Sequence, residues 1–336
     1  MNVATSISAA PETGIYLRKA LVPFDDALAR ADVTDVYVNR TGELWVETLG
    51  GASERHEDSR LDDIVLMRLA RQVAALCHQG LNREHPLLSA SLPDGCRIQI
   101  IAPPATRGGP AIAIRKQVAV RLALEDYCAA GAFDATCTDA LNDRRMIPTN
   151  VVELVQLGRL SEALAEAVRA RLNILISGGT SSGKTTFLNV LLREIPTNER
   201  LILIEDTPEL QVEHPNSVGL IAVRGILGEA QVSTNELVSA SLRMRPDRII
   251  VGELRGAEAL AFLRAVNSGH PGSMTSIHAD SPEGAVEQLA LLVLQAGTTL
   301  GRLDICEYVR NTIDVFVHLG RSAGKRTIQR IALRDC

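Results

Sequence analysis

The residues best suited to chemistry form one run: Gly178, Gly179, Thr180, Ser181, Ser182, Gly183, Lys184, Thr185 and Thr186. A glycine, four residues, then Gly183, Lys184 and Thr185 match the spacing of a phosphate loop. Glycines at those places let backbone N–H groups converge on phosphate oxygens that bulkier residues would hold off. The helix expected after the loop turns its positive end to the same anion. Lys184 is placed to reach the β- and γ-phosphates of a nucleotide, and the Thr185 hydroxyl to ligate Mg²⁺. A bare glycine-rich strand-to-helix turn is the competing reading, and the loop alone does not establish turnover.

Acidic and imidazole side chains follow the later apolar runs. Leu201–Ile204 leads into Glu205, Asp206 and Glu209, and Ile249–Val251 leads into Gly252, Glu253 and Arg255. The run Ser273–Ile277 ends at His278, with His270 ahead of it. In a doubly wound sheet the loops after the strands converge on the ligand, so these residues are expected on one rim with Lys184. Carboxylates and a histidine there could orient a water and hold Mg²⁺ beside a γ-phosphate. One departure from the usual plan stands out: Gly252 occupies the place directly after the apolar run where an aspartate commonly sits. Asp247 lies ahead of that run, at the wrong end for metal. Glu253, aided by Glu205 or Asp206, must therefore supply the metal-binding charge. Solvated loop carboxylates and surface histidines are the plainer alternatives.

Positioning these groups requires alternating strands and helices from residue 172 onward. Asn173–Ser177, Leu201–Ile204, Ile249–Val251 and Ser273–Ile277 are short, apolar or β-prone runs, with helical patterns at Glu258–Asn267 and Pro282–Gln295. Strands buried on both faces and joined by helices predict a mostly parallel sheet flanked by helices. Asp314–Leu319 and Thr327–Leu333 predict an edge hairpin. Ser161 is a candidate cap for a helix through Arg171.

The first third has a different pattern. Helical spacing over residues 15–30 precedes a hairpin signal at Val36–Val38 and Leu44–Val46. A helix over 61–79 and two strands at Arg97–Ile101 and Ala111–Ile114 complete a small α+β domain. The expected division is an α+β N-terminal domain over 1–118, a connection over 119–158 and a phosphate-loop domain over 159–336.

Composition sets the outer limits. The 336 residues are 46% hydrophobic and 22% charged, ordinary values for a soluble globular chain. A net charge of −5 offers no global basic field for nucleic acid or anionic lipid, and 3% aromatics leave little for stacking bases. No apolar run has membrane-spanning length and the start lacks a signal-peptide pattern, so a cytoplasmic protein touching membranes through partners is expected. Six cysteines without a C-x-x-C pair predict buried thiols acting as small hydrophobes.

Four segments now stand in order: Gly178–Thr186, Ile204–Glu209, Arg243–Arg255 and Gly269–His278. Together they resemble the Walker A, Asp box, Walker B and His box of the secretion-ATPase superfamily. Within it the chain looks most like the traffic ATPases of type IV secretion and conjugation systems, as do Val33–Arg40 and Leu44–Glu47 at the opening of the N-terminal domain. The resemblance runs from about residue 17 to 333. It implies a RecA-like C-terminal domain, ATP and Mg²⁺ as ligands, and ATP held between the two domains of each subunit in a ring of six. Carried over residue by residue, it implies Lys184 and Thr185 on phosphates and Mg²⁺, Glu205 and Glu253 as catalytic carboxylates, Glu253 also on the metal, and His278 as a phosphate sensor. It further implies N-terminal arginines at the γ-phosphate, best matched by Arg97 and Arg115, since a planar guanidinium suits phosphate. Arg255 is a further candidate for that work. The implied partners are inner-membrane channel subunits, coupling ATPases, and a secreted protein or nucleoprotein, with no sequence-specific nucleic-acid binding. The implied place is the cytoplasmic face of the inner membrane.

Other readings stay open at this point. Pilus-retraction and type II secretion ATPases share the core, although the four-cysteine module of the type II assembly branch has no counterpart here. A nucleotide-dependent scaffold or switch with little turnover belongs to another class. A GTPase lacks its Asn-Lys-x-Asp motif, and a helicase is disfavoured by charge and composition.

Overall fold

The structure is a computed structural model that describes residues 13–117, 123–129, 131–134, 146–223, 230–322 and 325–334. The described residues divide into two compact units. Those within 1–116, 204–208 and 216–246 form one, and those within 117–203, 209–215 and 247–336 form the other.

The first unit begins with α1 (Thr13–Leu21), a short 3₁₀ turn at Val22–Phe24 and α2 (Asp25–Ala29). Strands β1 (Val33–Val38), β2 (Glu43–Thr48) and β3 (Ser53–Glu57) follow, then α3 (Asp63–Leu76). Strands β4 (Leu87–Ser91), β5 (Arg97–Ile101) and β6 (Ala111–Arg115) complete a six-stranded sheet in the order β3-β2-β1-β6-β5-β4. All five neighbour pairs are antiparallel. Leu66, Leu69 and Val73 of α3 and Leu17 of α1 bury one face of that sheet against Val36, Ile98 and Ile112. Asp62 caps α3 by accepting the Val65 N–H at 2.7 Å, an ordinary start for such a helix. The charged, exposed edge strand β3 and the short β4 have too little apolar alternation to be read from sequence, and neither is expected there.

Next along the chain come α4 (Leu124–Ala129), α5 (Thr149–Gln156) and α6 (Leu160–Arg169). The cap expected at Ser161 is not found. Helix α6 starts two residues earlier, at Leu160, with Arg159 at the cap and no side chain bonded to the helix end. Ala163, Leu164, Ala167 and Val168 are the face of α6 that is buried, and they set its phase.

The second sheet is built from β7 (Ile174–Gly178), β8 (Leu201–Glu205), β10 (Arg248–Val251), β11 (Met274–Ile277), β12 (Val315–Ser322) and β13 (Lys325–Leu333). Their order is β13-β12-β7-β11-β10-β8. Strand β7 is parallel to both β11 and β12, and β11 is parallel to β10, while the β12–β13 edge hairpin is antiparallel. The chain is thus a mixed α/β protein with a parallel sheet. Helices α7 (Lys184–Leu192), α9 (Glu258–Asn267), α10 (Pro282–Gln295) and α11 (Arg302–Thr312) belong to this unit. Its core gathers Ile174 and Ile176 of β7, Leu188 and Leu191 of α7, Ile250 and Val317. Strand β9 (Ser217–Ile221) and α8 (Thr234–Ser241), opened by a Ser233–Glu236 capping box, lie in the first unit. Neither is expected from sequence, nor is α11.

The cysteine expectation holds only in part. Cys96 and Cys306 are buried, Cys77 is half-buried and Cys128 is exposed at the end of a short helix. Cys137 and Cys336 lie outside the described residues.

Candidate functional site

Register, rather than proximity in sequence, assembles the central group. Ser177 of β7 pairs with Ile277 of β11, so the residue after each, Gly178 and His278, emerges at the same sheet edge. Val251 of β10 pairs with Thr275, which brings Gly252 and Glu253 out beside them. The turn after β10 is tied down on both sides. Ser276 Oγ donates to the Gly252 carbonyl at 2.7 Å, and the Leu254 N–H donates to the Ser276 carbonyl at 2.9 Å. Glu258 Oε1 accepts the N–H groups of Arg255 and Gly256 at 2.7 and 2.9 Å, fixing the start of α9.

The loop after β7 is tightly curled. A Cβ at Gly178 would meet Ser182 Oγ at 2.5 Å and the Leu319 carbonyl at 2.6 Å, so only glycine fits. Ser181 has φ +60° and Gly183 φ +97°. A serine in the left-handed region is uncommon, and such strain is typical of ligand-holding loops. Gly183 stands at the cap of α7 and no side chain bonds to that helix end, leaving its first N–H groups for a ligand. Ser182 is 3% exposed, and its hydroxyl has no hydrogen-bond partner. A buried donor of that kind costs free energy unless a ligand satisfies it.

Lys184 is buried, and its ammonium is the centre of the group. Nζ donates to the Gly178 carbonyl at 3.1 Å, lies 3.3 Å from Glu253 Oε1, and stands 3.3 and 3.4 Å from the two ring nitrogens of His278. His278 Nε2 is 2.9 Å from the same Glu253 oxygen. That oxygen is buried and ion-paired, yet makes no hydrogen bond of good geometry. Glu253 Oε2 is held by Arg255, whose Nε donates to it at 2.5 Å. Three sequence-predicted residues, Lys184, Glu253 and His278, therefore meet. Thr185 is half-buried on the first turn of α7 and Thr186 is exposed beside it.

The remaining candidates fall elsewhere. His270 bonds through Nδ1 to the Ala265 carbonyl at 3.0 Å, closing the end of α9, and has no part in the group around Lys184. Asp247 accepts the Arg200 N–H at 2.7 Å at the amino end of β10, the end opposite Glu253. Glu205, Arg97 and Arg115 belong to the first unit. There Glu205 is 5% exposed and ion-paired to Arg107, a residue that sequence reasoning passed over. Arg107 also donates its N–H to the Gly219 carbonyl at 3.0 Å, and its side chain crosses Gly219. Burial pulls its guanidinium below the usual arginine range. The only local signal for it was an arginine inside the Pro/Gly loop between β5 and β6.

Arg97 and Arg115 face each other directly across β5 and β6, and Asp35 of β1 pairs with Arg115 on its other side. Both arginines line a cavity of about 580 Å³ within the first unit, together with Asp35, Gln99 and Arg243. Like charges directly opposite each other cost stability unless an anion is near, and the Asp35 carboxylate is part of the same lining.

These features define a mixed α/β protein with a carboxylate and an imidazole beside the lysine of its glycine-rich loop. The chain matches the family described as Type II/IV secretion system protein over residues 22–326. It is 36% identical over 334 residues to the type IV secretion system protein VirB11 of Bartonella henselae, spanning 95% of this chain and 93% of that relative. It is 36% identical over 308 residues to the type IV secretion system protein PtlH of Bordetella pertussis, with 90% of each chain covered. Among solved structures, the VirB11 ATPase of the Brucella suis type IV secretion system, crystallised with sulphate, superposes with a TM-score of 0.88 at 36% identity. That match covers 96% of this chain and 95% of the other. The chain belongs to the type II/IV secretion system protein family. Among the described residues no helix is long and apolar enough to cross a membrane.

Proposed function

We propose that the chain is an ATP-hydrolysing motor that energises type IV secretion. The observation that carries this reading is the convergence of Glu253 and His278 on Lys184 at the phosphate loop. A phosphate-binding lysine needs no carboxylate to bind an anion. A carboxylate beside it has a use in hydrolysis, where a water must be oriented toward the γ-phosphate.

In this reading the loop N–H groups, the Ser182 hydroxyl and Lys184 take the β- and γ-phosphates of ATP. As Lys184 turns to phosphate, Glu253 is freed to accept the proton of the attacking water. His278, within reach of both, reports whether the γ-phosphate is present. Glu253 Oε1, once Lys184 has turned to phosphate, and the Thr185 hydroxyl fit a divalent cation, and Mg²⁺ bound there would neutralise phosphate charge. Among the described residues no three His, Cys, Asp or Glu side chains converge, so phosphates and waters would complete its shell. Glu205 is assigned as the second catalytic carboxylate, and Arg97 and Arg115 as γ-phosphate ligands from the N-terminal part.

The finer architecture belongs to the same proposal. An α+β domain over 1–118 and a connection over 119–158 precede a RecA-like domain over 159–336. Six copies form a ring at the cytoplasmic face of the inner membrane, held there by channel subunits and coupling ATPases. Closure on ATP and loosening after hydrolysis push on a secreted protein or nucleoprotein. Gly252, in the place where an aspartate is usual, favours a second reading, a nucleotide-dependent scaffold with little turnover. Steady-state phosphate release by the purified chain, with its mass in solution measured with and without ATP, separates the two. Release that depends on Mg²⁺ and an ATP-stabilised hexamer support the motor; tight binding without release supports the scaffold.

A further inference from the structure

The β12–β13 hairpin brings two arginines to the phosphate loop that neither the loop motif nor the carboxylate set calls for. Strand β12 runs parallel to β7, with His318 beside Ser177 and Leu319 beside Gly178, so the hairpin continues past the sheet edge next to the loop. Arg321 and Arg326 are directly opposite each other across the hairpin and so project from one face. Arg321 Nη2 donates to the Ser181 carbonyl at 3.1 Å. Arg326 lies against Gly183: a Cβ built there would meet its Cδ at 3.0 Å, Nε at 3.6 Å and Nη1 at 3.8 Å.

Neither arginine has a carboxylate partner among the described residues, whereas Arg330 on the same strand pairs with Glu283 at 2.8 Å. Two guanidiniums directly opposite each other repel unless an anion lies between or beside them. The loop they border already presents Lys184, an uncapped helix end and the buried, unpartnered Ser182 hydroxyl. Arg326, the Ser182 hydroxyl and the free end of α7 are donors gathered at that edge.

We infer that Arg326, with Arg321 holding the loop through the Ser181 carbonyl, is a ligand of the nucleotide's phosphate chain. Arg326 grips the chain from the side opposite Glu253, and Arg321 is its positioning residue. The C-terminal hairpin thereby becomes part of the nucleotide site rather than a mere sheet edge. This rests on the proposal that the loop binds ATP.

The test is calorimetric titration of ATP and of ADP into the full chain, wild type against Arg326→Gln and Arg326→Lys, at about 50 and about 200 mM salt. Arg326→Gln should weaken both nucleotides about five- to tenfold at the lower salt, with a smaller gap at the higher salt, and Arg326→Lys should recover part of the loss. Both positions are exposed on an edge hairpin, so the nucleotide-free melting temperature should stay within a few degrees of wild type. Equal affinity of Arg326→Gln and wild type at both salts overturns the inference alone. So does a lower nucleotide-free melting temperature with unchanged affinity, which makes the arginine a prop for the loop. Wild-type protein that binds no ATP removes the nucleotide reading and this inference together.

Discussion

Lys184 Nζ stands 3.3 Å from Glu253 Oε1, a contact that joins the glycine-rich loop after β7 to the turn after β10. It exists because β7, β11 and β10 are adjacent, parallel and in register, so their carboxyl ends finish level. The pairing also costs little to undo. An ammonium and a carboxylate already close together need only a competing phosphate to part them, which suits a site that must release its base on substrate binding.

Gly178→Ala should weaken nucleotide binding. The added Cβ would meet a backbone carbonyl at 2.6 Å, which cannot give way as a side chain can. Titration with ATP should show affinity reduced at least about tenfold, the effect of losing one or two charge-assisted contacts. Wild-type affinity would mean the loop tolerates a displacement that its contacts argue against.

Arg115→Gln should lower ATP turnover more than ATP affinity. A guanidinium at the γ-phosphate acts mainly as charge develops, so kcat should fall about ten- to a thousandfold with KM changed far less. Arg97→Gln should act in the same direction, since both line one cavity. Unchanged kcat in both variants would return these arginines to the surface.

Arg248→Ala should destabilise the second unit without touching the site. Arg248 is fully buried and forks onto both oxygens of Glu199 at 2.7 Å, with a further bond to the Val168 carbonyl at 2.7 Å. Removing it strands a buried carboxylate, a loss of about 3–5 kcal/mol. The melting temperature should drop by roughly 6–20 °C for a unit of this size. A shift of under a degree would show that Arg171 alone satisfies Glu199.

The same cluster fixes the sign of an acid effect. Burial pushes the Glu199 carboxyl up, but Arg248 and Arg171 together pull it further down, so it ends below the usual glutamate range. Its folded pKa is depressed, so its contribution is complete above about pH 4.3 and fades as pH falls through the lower folded value. Melting curves of Glu199→Gln should lie below wild type near neutrality and converge on it below about pH 4. A gap that widens on acidification contradicts the assignment.

Much of this was legible because the signals are local. An apolar run ending in glycine, lysine and threonine defines β7, the loop and α7, and apolar runs ending in Glu205, Glu253 and His278 mark three more strands at their functional ends. The paired arginines at 97 and 115 could be chosen only through resemblance. Strand β9, with its mixed burial, and the exposed β3 carry too little apolar patterning to be seen. The charged α11 hid for a related reason: its buried face is Ile305, Cys306 and Val309, interleaved with Arg302, Asp304, Glu307 and Arg310. Arg107, Arg321 and Arg326 were invisible because what each touches, Glu205, Ser181 and Gly183 in turn, is far along the chain.

The central claim is that Glu253 is the hydrolytic base on a phosphate-binding lysine. The direct measurement is ATP affinity and steady-state phosphate release for Glu253→Gln, with Lys184→Ala as the binding-defective control. The account predicts that Glu253→Gln binds ATP as tightly as wild type or somewhat tighter, and releases phosphate about a hundred- to ten-thousandfold more slowly. Lys184→Ala should neither bind ATP tightly nor release phosphate at a measurable rate. Phosphate release near the wild-type rate from Glu253→Gln would contradict the account.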